Sequence, residues 1–92
     1  MKNWKMRFTP EASRHFSKIH PEIKKQFKQA LSELQQNPYT GKDLQEELSG
    51  FKSLRLNKYR VIYTIREERN SIEVYYIGRR SDVYEQFRRL LT

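Results

Sequence analysis

The sequence predicts a small α+β fold: an antiparallel-rich sheet carries a helical hairpin on one face and is followed by a C-terminal helix, in the order β-α-α-β-β-β-α. Three observations predict it. Residues 10–37 hold two amphipathic helical stretches, each opened by a proline. Residues 53–66 alternate between apolar and polar side chains around Asn57-Lys58, as the arms of a hairpin do. Residues 83–91 return to helical spacing. The 92 residues fit a single domain, 1–92, with a small core and no linker, internal repeat or low-complexity tract.

Lys5 to Thr9 alternates and reads as a short edge strand with Met6 and Phe8 inward. Thr9-Pro10-Glu11 is a helix start, with Thr as N-cap, Pro in the first position and an acid in the first turn. Ala12, Phe16 and Ile19 make the apolar face of this helix, which should stop near His20 because a residue before proline avoids helical dihedrals. Pro21 opens a second helix, and its stripe of Ile23, Phe27, Ala30, Leu31 and Leu34 runs to Asn37-Pro38. The two helices form an antiparallel hairpin whose apolar sides need the sheet as a partner. Tyr39 to Gly50 reads as a loop, bounded by Gly41 and Gly50 and anchored by Leu44 and Leu48.

Leu54-Arg55-Leu56 and Tyr59-Arg60-Val61 flank a two-residue loop, Asn57-Lys58, in which Asn tolerates positive φ. This register sets Leu56 opposite Tyr59 and Arg55 opposite Arg60. Strand parity then buries Leu54, Leu56, Tyr59, Val61, Tyr63 and Ile65 on one face and puts Ser53, Arg55, Arg60 and Thr64 on the other. Like charges directly across a strand pair are destabilising, by roughly the 0.2–1 kcal/mol that a good cross-strand pair contributes, so two facing arginines suggest an anion between them. Ile72 to Ile77 alternates poorly, as a central strand covered on both faces would, and ends in Gly78-Arg79-Arg80. In the last helix Asp82 is the expected N-cap, Glu85 completes a capping box, and Val83, Phe87, Leu90 and Leu91 form the apolar stripe, with Tyr84 beside the arginines. With the helices on one face, the other face is expected to be open and basic.

The formal net charge of +8 points to a polyanionic or acidic partner. From Gly50 onward there are ten Lys and Arg against five acids, and eight of the ten are Arg, the cation that grips phosphate in a fork. The absence of cysteine excludes a disulfide framework, a thiolate nucleophile and Cys-type metal sites. No apolar leader and no run near the ~20 residues of a membrane span is present, so a cytoplasmic protein without membrane contact is the simplest reading.

Phosphate-binding and dinucleotide glycine patterns, the HExxH zinc signature and the GxSxG elbow are all missing, and neither cofactor nor metal is expected. His15 and His20 read as structural, which disfavours a two-histidine ribonuclease. A basic face with a phenol at its rim remains. RNA brings its own nucleophile, the 2′-hydroxyl, so cutting it needs orientation, charge neutralisation and modest proton transfer. Arg55, Arg60 and Arg80 are the candidate clamp on the scissile phosphate. Tyr84 is the candidate to take the proton, since arginine does not deprotonate, or else to stack on a base, or only to pack half-buried against the sheet. Lys52, Lys58 and Arg79 are candidate RNA-backbone contacts.

The strings Gly50-Phe51-Lys52-Ser53-Leu54-Arg55-Leu56, Tyr59-Arg60-Val61-Ile62-Tyr63 and Ile77-Gly78-Arg79-Arg80-Ser81-Asp82-Val83-Tyr84 resemble the toxins of the RelE/ParE superfamily, and with the early helical hairpin the resemblance spans nearly the whole chain. It implies the RelE/ParE-like fold and the toxin of a type II toxin-antitoxin pair. In the RelE branch it further implies an mRNA interferase, an endoribonuclease that enters the ribosomal A site, cuts mRNA by 2′-hydroxyl attack on the adjacent phosphate and so inhibits translation. The branch's basic residues fall on Arg55, Arg60 and Arg80, and its C-terminal tyrosine on Tyr84. Some members carry two lysines in the second strand. Here Ser53 and Arg55 occupy the nearest positions and Lys52 is displaced by one, which increases the load on Tyr84. The ParE branch shares the fold, poisons DNA gyrase and generally lacks the tyrosine, so Tyr84 favours the nuclease. The partners implied are a cognate antitoxin, the ribosome and mRNA, with operator DNA reached only through the antitoxin. The alternatives are a ParE-like gyrase inhibitor and a catalytically inactive antitoxin-binding corepressor.

Overall fold

Thr9 follows the first strand and caps the first helix. Its Oγ1 accepts a hydrogen bond from the Ala12 N–H and donates one to the Tyr75 carbonyl, each at 3.2 Å, so the cap also fastens the helix to the sheet. The computed structural model describes residues 3–79 and 83–91. Its elements are β1 (Lys5–Phe8), α1 (Pro10–Ser17), α2 (Pro21–Gln36), β2 (Lys42–Asp43), β3 (Lys52–Leu56), β4 (Tyr59–Arg66), β5 (Ser71–Arg79) and α3 (Val83–Leu91). The predicted order holds with one addition. Inside the expected loop, Lys42 and Asp43 pair with Ser53 and Lys52 as a two-residue strand.

The strands form one five-stranded sheet in the order β1-β5-β4-β3-β2, with β1 parallel to β5 and the other neighbours antiparallel. The α1–α2 hairpin covers one face. Ala12, Ile19, Phe27, Leu31 and Leu34 are buried there against Val61, Tyr63, Ile72, Val74 and Ile77. His20 caps α2, its Nδ1 accepting from the Glu22 N–H at 3.2 Å.

β5 is an internal strand with an apolar cluster on each face, as expected, and its poor alternation has a second cause as well. Ile62 pairs with Tyr76 and Tyr63 with Val74, so Tyr75 is the extra residue of a β-bulge. Val74 and Ile77 can then face the hairpin while Tyr75 and Tyr76 both belong to the second cluster on the opposite face.

That opposite face is not open. α3 lies on it, with Phe87 1% exposed in a cluster with Ile62 and Leu48, and Phe51, Tyr75 and Tyr76 around it. The Phe87 ring meets Phe51 at 5.0 Å and Tyr75 at 6.3 Å, both near perpendicular, the arrangement that aromatic quadrupoles favour. Periodicity placed the stripe of α3 correctly at Phe87 but extended it too far: Leu90 and Leu91 stand 49% and 47% exposed, outside the cluster that buries Phe87. The expected Asp82 cap lies outside the described residues.

Tyr63 fastens the segment after α2 to the sheet. Its ring is fully buried, and its hydroxyl donates to the Pro38 carbonyl at 2.7 Å and accepts from the Gly41 N–H at 3.1 Å. Burial pushes this phenol up to about 12, which keeps the donating proton in place. A Cβ at Gly41 would collide with the Tyr63 hydroxyl. Gly41→Ala should therefore lower stability by about 1–3 kcal/mol in urea denaturation, and by less in a Tyr63→Phe background, where the obstructing oxygen is gone. Equal losses in both backgrounds would show that the collision is not the cause.

Candidate functional site

The β3–β4 hairpin turns at Asn57 with φ at +58°, and this tight turn fixes the predicted register, Leu56 opposite Tyr59 and Arg55 opposite Arg60. Both arginines point to the face that carries α3. On the other side of β4, Arg60 is paired with Gly78, which offers no side chain to crowd it.

Arg60 answers the charge opposite it by turning to α3. Its Nη1 donates to the Tyr84 hydroxyl at 3.0 Å and to Ser53 Oγ at 3.2 Å, while Ser53 Oγ and the Tyr84 hydroxyl lie 3.1 Å apart. The guanidinium carbon also sits 5.3 Å from the Tyr84 ring centre, within cation–π range. Three side chains from two strands and a helix thus close a triangle. Ser53 is 3% exposed and Arg60 Nε is buried with no partner among the described residues, so the group holds unused donor capacity.

The first turn of α3 is held in place by Phe87 one turn on and by an ion pair between Arg88 and Glu47. Beside it, Tyr84 and Arg88 line an open cleft of about 280 Å³ with Lys42 and Leu48.

Of the residues singled out in the sequence, Arg55, Arg60 and Tyr84 share this face, Arg55 exposed and Arg60 half-buried. Lys58 is exposed at the hairpin tip and Arg79 is exposed at the end of β5. Lys52 is not part of the group. Its parity is that of Leu54 and Leu56, which puts it on the hairpin face, where Nζ is held by Asp43 at 2.6 Å. Arg80 lies outside the described residues. Ser53 is the residue that reading for cations and proton donors passed over. Strand parity placed it on the right face, but only the packing of α3 turns it into a partner of the phenol.

His15 is half-buried, its Nε2 3.3 Å from Glu11 and its ring edge-on to Tyr76 at 4.5 Å. His20 is occupied as a helix cap. Among the described residues no group of three or more His, Cys, Asp or Glu is placed to hold a metal ion, and no helix is long and apolar enough to cross a membrane.

The family model for the ParE toxin of the type II toxin-antitoxin system parDE matches residues 6–84. The chain belongs to the RelE/ParE toxin superfamily. Toxin RelG of Mycobacterium tuberculosis is 32% identical over 83 residues, which cover 88% of this toxin and 95% of RelG. Among solved structures, the RelBE2 toxin-antitoxin complex of M. tuberculosis matches with a TM-score of 0.78 at 31% identity, over 85% of this toxin and 99% of that chain. The isolated RelE toxin of E. coli, at 21% identity, shares the fold with a TM-score of 0.73 over 97% and 99% of the two chains. The toxin's fold class and its superfamily are thus those read from the sequence.

Burial lowers the pKa of His15 from its ordinary value near 6.5, against the opposing pull of Glu11 and with help from Arg14 and Lys18. As pH falls through that ordinary value the unfolded chain binds the proton more readily than the folded toxin, and stability is lost in that direction. Between about pH 7.5 and about pH 5.5 the denaturation midpoint should fall, and fall less in His15→Phe. Parallel curves for the two proteins would show that another group is responsible.

Proposed function

We propose that this toxin is a ribosome-dependent mRNA endonuclease that halts translation. The observation that carries the reading is the triangle of Arg60, Ser53 and Tyr84, set beside Arg55 on one face of the sheet. The guanidiniums of Arg55 and Arg60 are the clamp for a phosphodiester, Arg60 through the donors that Ser53 and Tyr84 leave unused. They stabilise the charge that builds on the phosphate as the 2′-hydroxyl attacks it, closing a 2′,3′-cyclic phosphate and releasing the 5′-oxygen of the next nucleotide. Arg60 keeps its proton, so the 2′-hydroxyl gives its proton to Tyr84 acting as the phenolate, whose oxygen is the hub of the triangle, and water protonates the departing 5′-oxygen. Arg80 is proposed as a third cation on the phosphate, and Lys58 and Arg79 as contacts to the flanking backbone. Lys52, tied to Asp43 on the other face, has no place in this step.

With so spare an acid-base set, the ribosome supplies the substrate geometry and free RNA is cut slowly or not at all. Similar structures solved as toxin-antitoxin complexes, RelBE2 of M. tuberculosis and RelBE of E. coli, support a cognate antitoxin as partner of this chain. The net charge of +8 suits an acidic one.

The family model that matches is that of ParE, and this favours a second reading, inhibition of DNA gyrase by binding alone. Induction in cells followed by mapping of mRNA 5′ ends separates the two. The nuclease should leave new ends within codons on ribosomes, reduced about 10²–10³-fold in Arg60→Ala and about 10²–10⁴-fold in Tyr84→Phe, with both variants folded. Intact mRNA with blocked supercoiling would replace the nuclease by the gyrase reading.

A further inference from the structure

A second cleft, of about 300 Å³, opens on the other flank of the site, and the reason lies in strand length. β1 pairs only with Ser71 to Val74, so among the described residues the later part of β5 has no strand on that side and faces the last turn of α1 instead. His15 and Lys18 form one wall, Tyr76, Gly78 and Arg79 the floor, and Gln86 of α3 the far wall. Gly78 is the cross-strand neighbour of Arg60, so this floor begins one strand spacing, about 4.8 Å, from the residue that anchors the triangle.

The lining has a definite chemistry. The Tyr76 ring is held in place, edge-on to His15 at 4.5 Å and tilted against Phe87 at 6.2 Å, so it is a firm aromatic wall. The Gln86 amide supplies both a donor and an acceptor. Lys18 and Arg79 are exposed cations. The volume sits at the small end of the ~300–1,000 Å³ of small-molecule sites, room for one planar heterocycle and too little for a helix or a folded segment.

We infer that this cleft receives one base of a single-stranded RNA, that of a nucleotide adjoining the phosphate held by Arg55 and Arg60. Tyr76 is the wall against which the base packs, Gln86 reads its edge, and Lys18 and Arg79 hold the neighbouring phosphate. The position of that phosphate rests on the nuclease reading, but base binding itself needs no cutting. Gln86 is then a specificity residue, and the cleft is where a sequence preference would originate.

The test is an NMR titration of the full-length toxin with the four nucleoside 5′-monophosphates, with ribose 5-phosphate and with a 2′-deoxy trinucleotide that cannot be cut. Base-bearing ligands should shift the Gln86 side-chain amide and the Tyr76 ring saturably, one base at least about fivefold tighter than the others. Gln86→Ala should erase most of that preference. Lys18→Ala should weaken all four alike and flatten the salt dependence. Shifts of equal size with ribose 5-phosphate, or an unmoved Gln86 amide at saturation, would overturn the inference. The two readings fail separately: a shifted Gln86 with intact mRNA on ribosomes keeps the base cleft and removes the nuclease, and new mRNA ends with an unmoved Gln86 do the reverse.

Discussion

A guanidinium held half-buried against a phenol is the contact on which the arrangement of this toxin turns. Arg60 faces Arg55 across the strand pair, and a like-charged pair there is unfavourable unless something meets it. Tyr84 meets it twice, with an oxygen that accepts from Nη1 and a ring face within cation–π range. A hydrogen bond to a charged group contributes about 1.5–3 kcal/mol and an exposed cation–π contact about 0.5–1 kcal/mol, enough to offset a cross-strand repulsion of less than about 1 kcal/mol. The same contact fixes the start of α3 relative to the sheet. A single interaction thus keeps the cation in place and brings a helix residue to a strand residue.

The contact is possible because the rest of the fold makes the sheet two-sided. The hairpin of α1 and α2 saturates one face, leaving the other to the shorter α3. A helix of nine residues buries little, and this one is held by Phe87, by the aromatic rings around it and by the Arg88–Glu47 pair. The β-bulge at Tyr75 supplies part of that surface, turning two consecutive tyrosines towards α3 while the core side keeps Val74 and Ile77. An irregularity in the sheet is therefore what lets a small helix sit beside a basic hairpin without covering it.

The cleft beside Tyr76 follows from a strand that ends early: β1 has four residues and its pairing stops at Val74, so side chains of α1 and α3 line the gap beside the end of β5. The charge follows the same geometry. Arg55, Lys58 and Arg79 gather at the β3–β4 turn and at the end of β5, two features that the antiparallel register brings to one end of the sheet. Lys52 shows the limit of that grouping. One residue of offset sends it through the sheet to Asp43.

The sequence by itself determined what depends on neighbours along the chain. Prolines and a threonine set the starts of the helices, periods of 3.6 and 2 set their faces and those of the strands, and a two-residue turn set the register that places Arg55 opposite Arg60. Motifs on those same local elements were enough for the superfamily. Tertiary structure alone decided which face α3 would cover, that Ser53 would join Arg60 and Tyr84, that Leu90 and Leu91 would stand clear, and that Tyr75 would bulge. Each of these depends on how far one element reaches across another, and a pattern of side chains along one segment holds no measure of that distance.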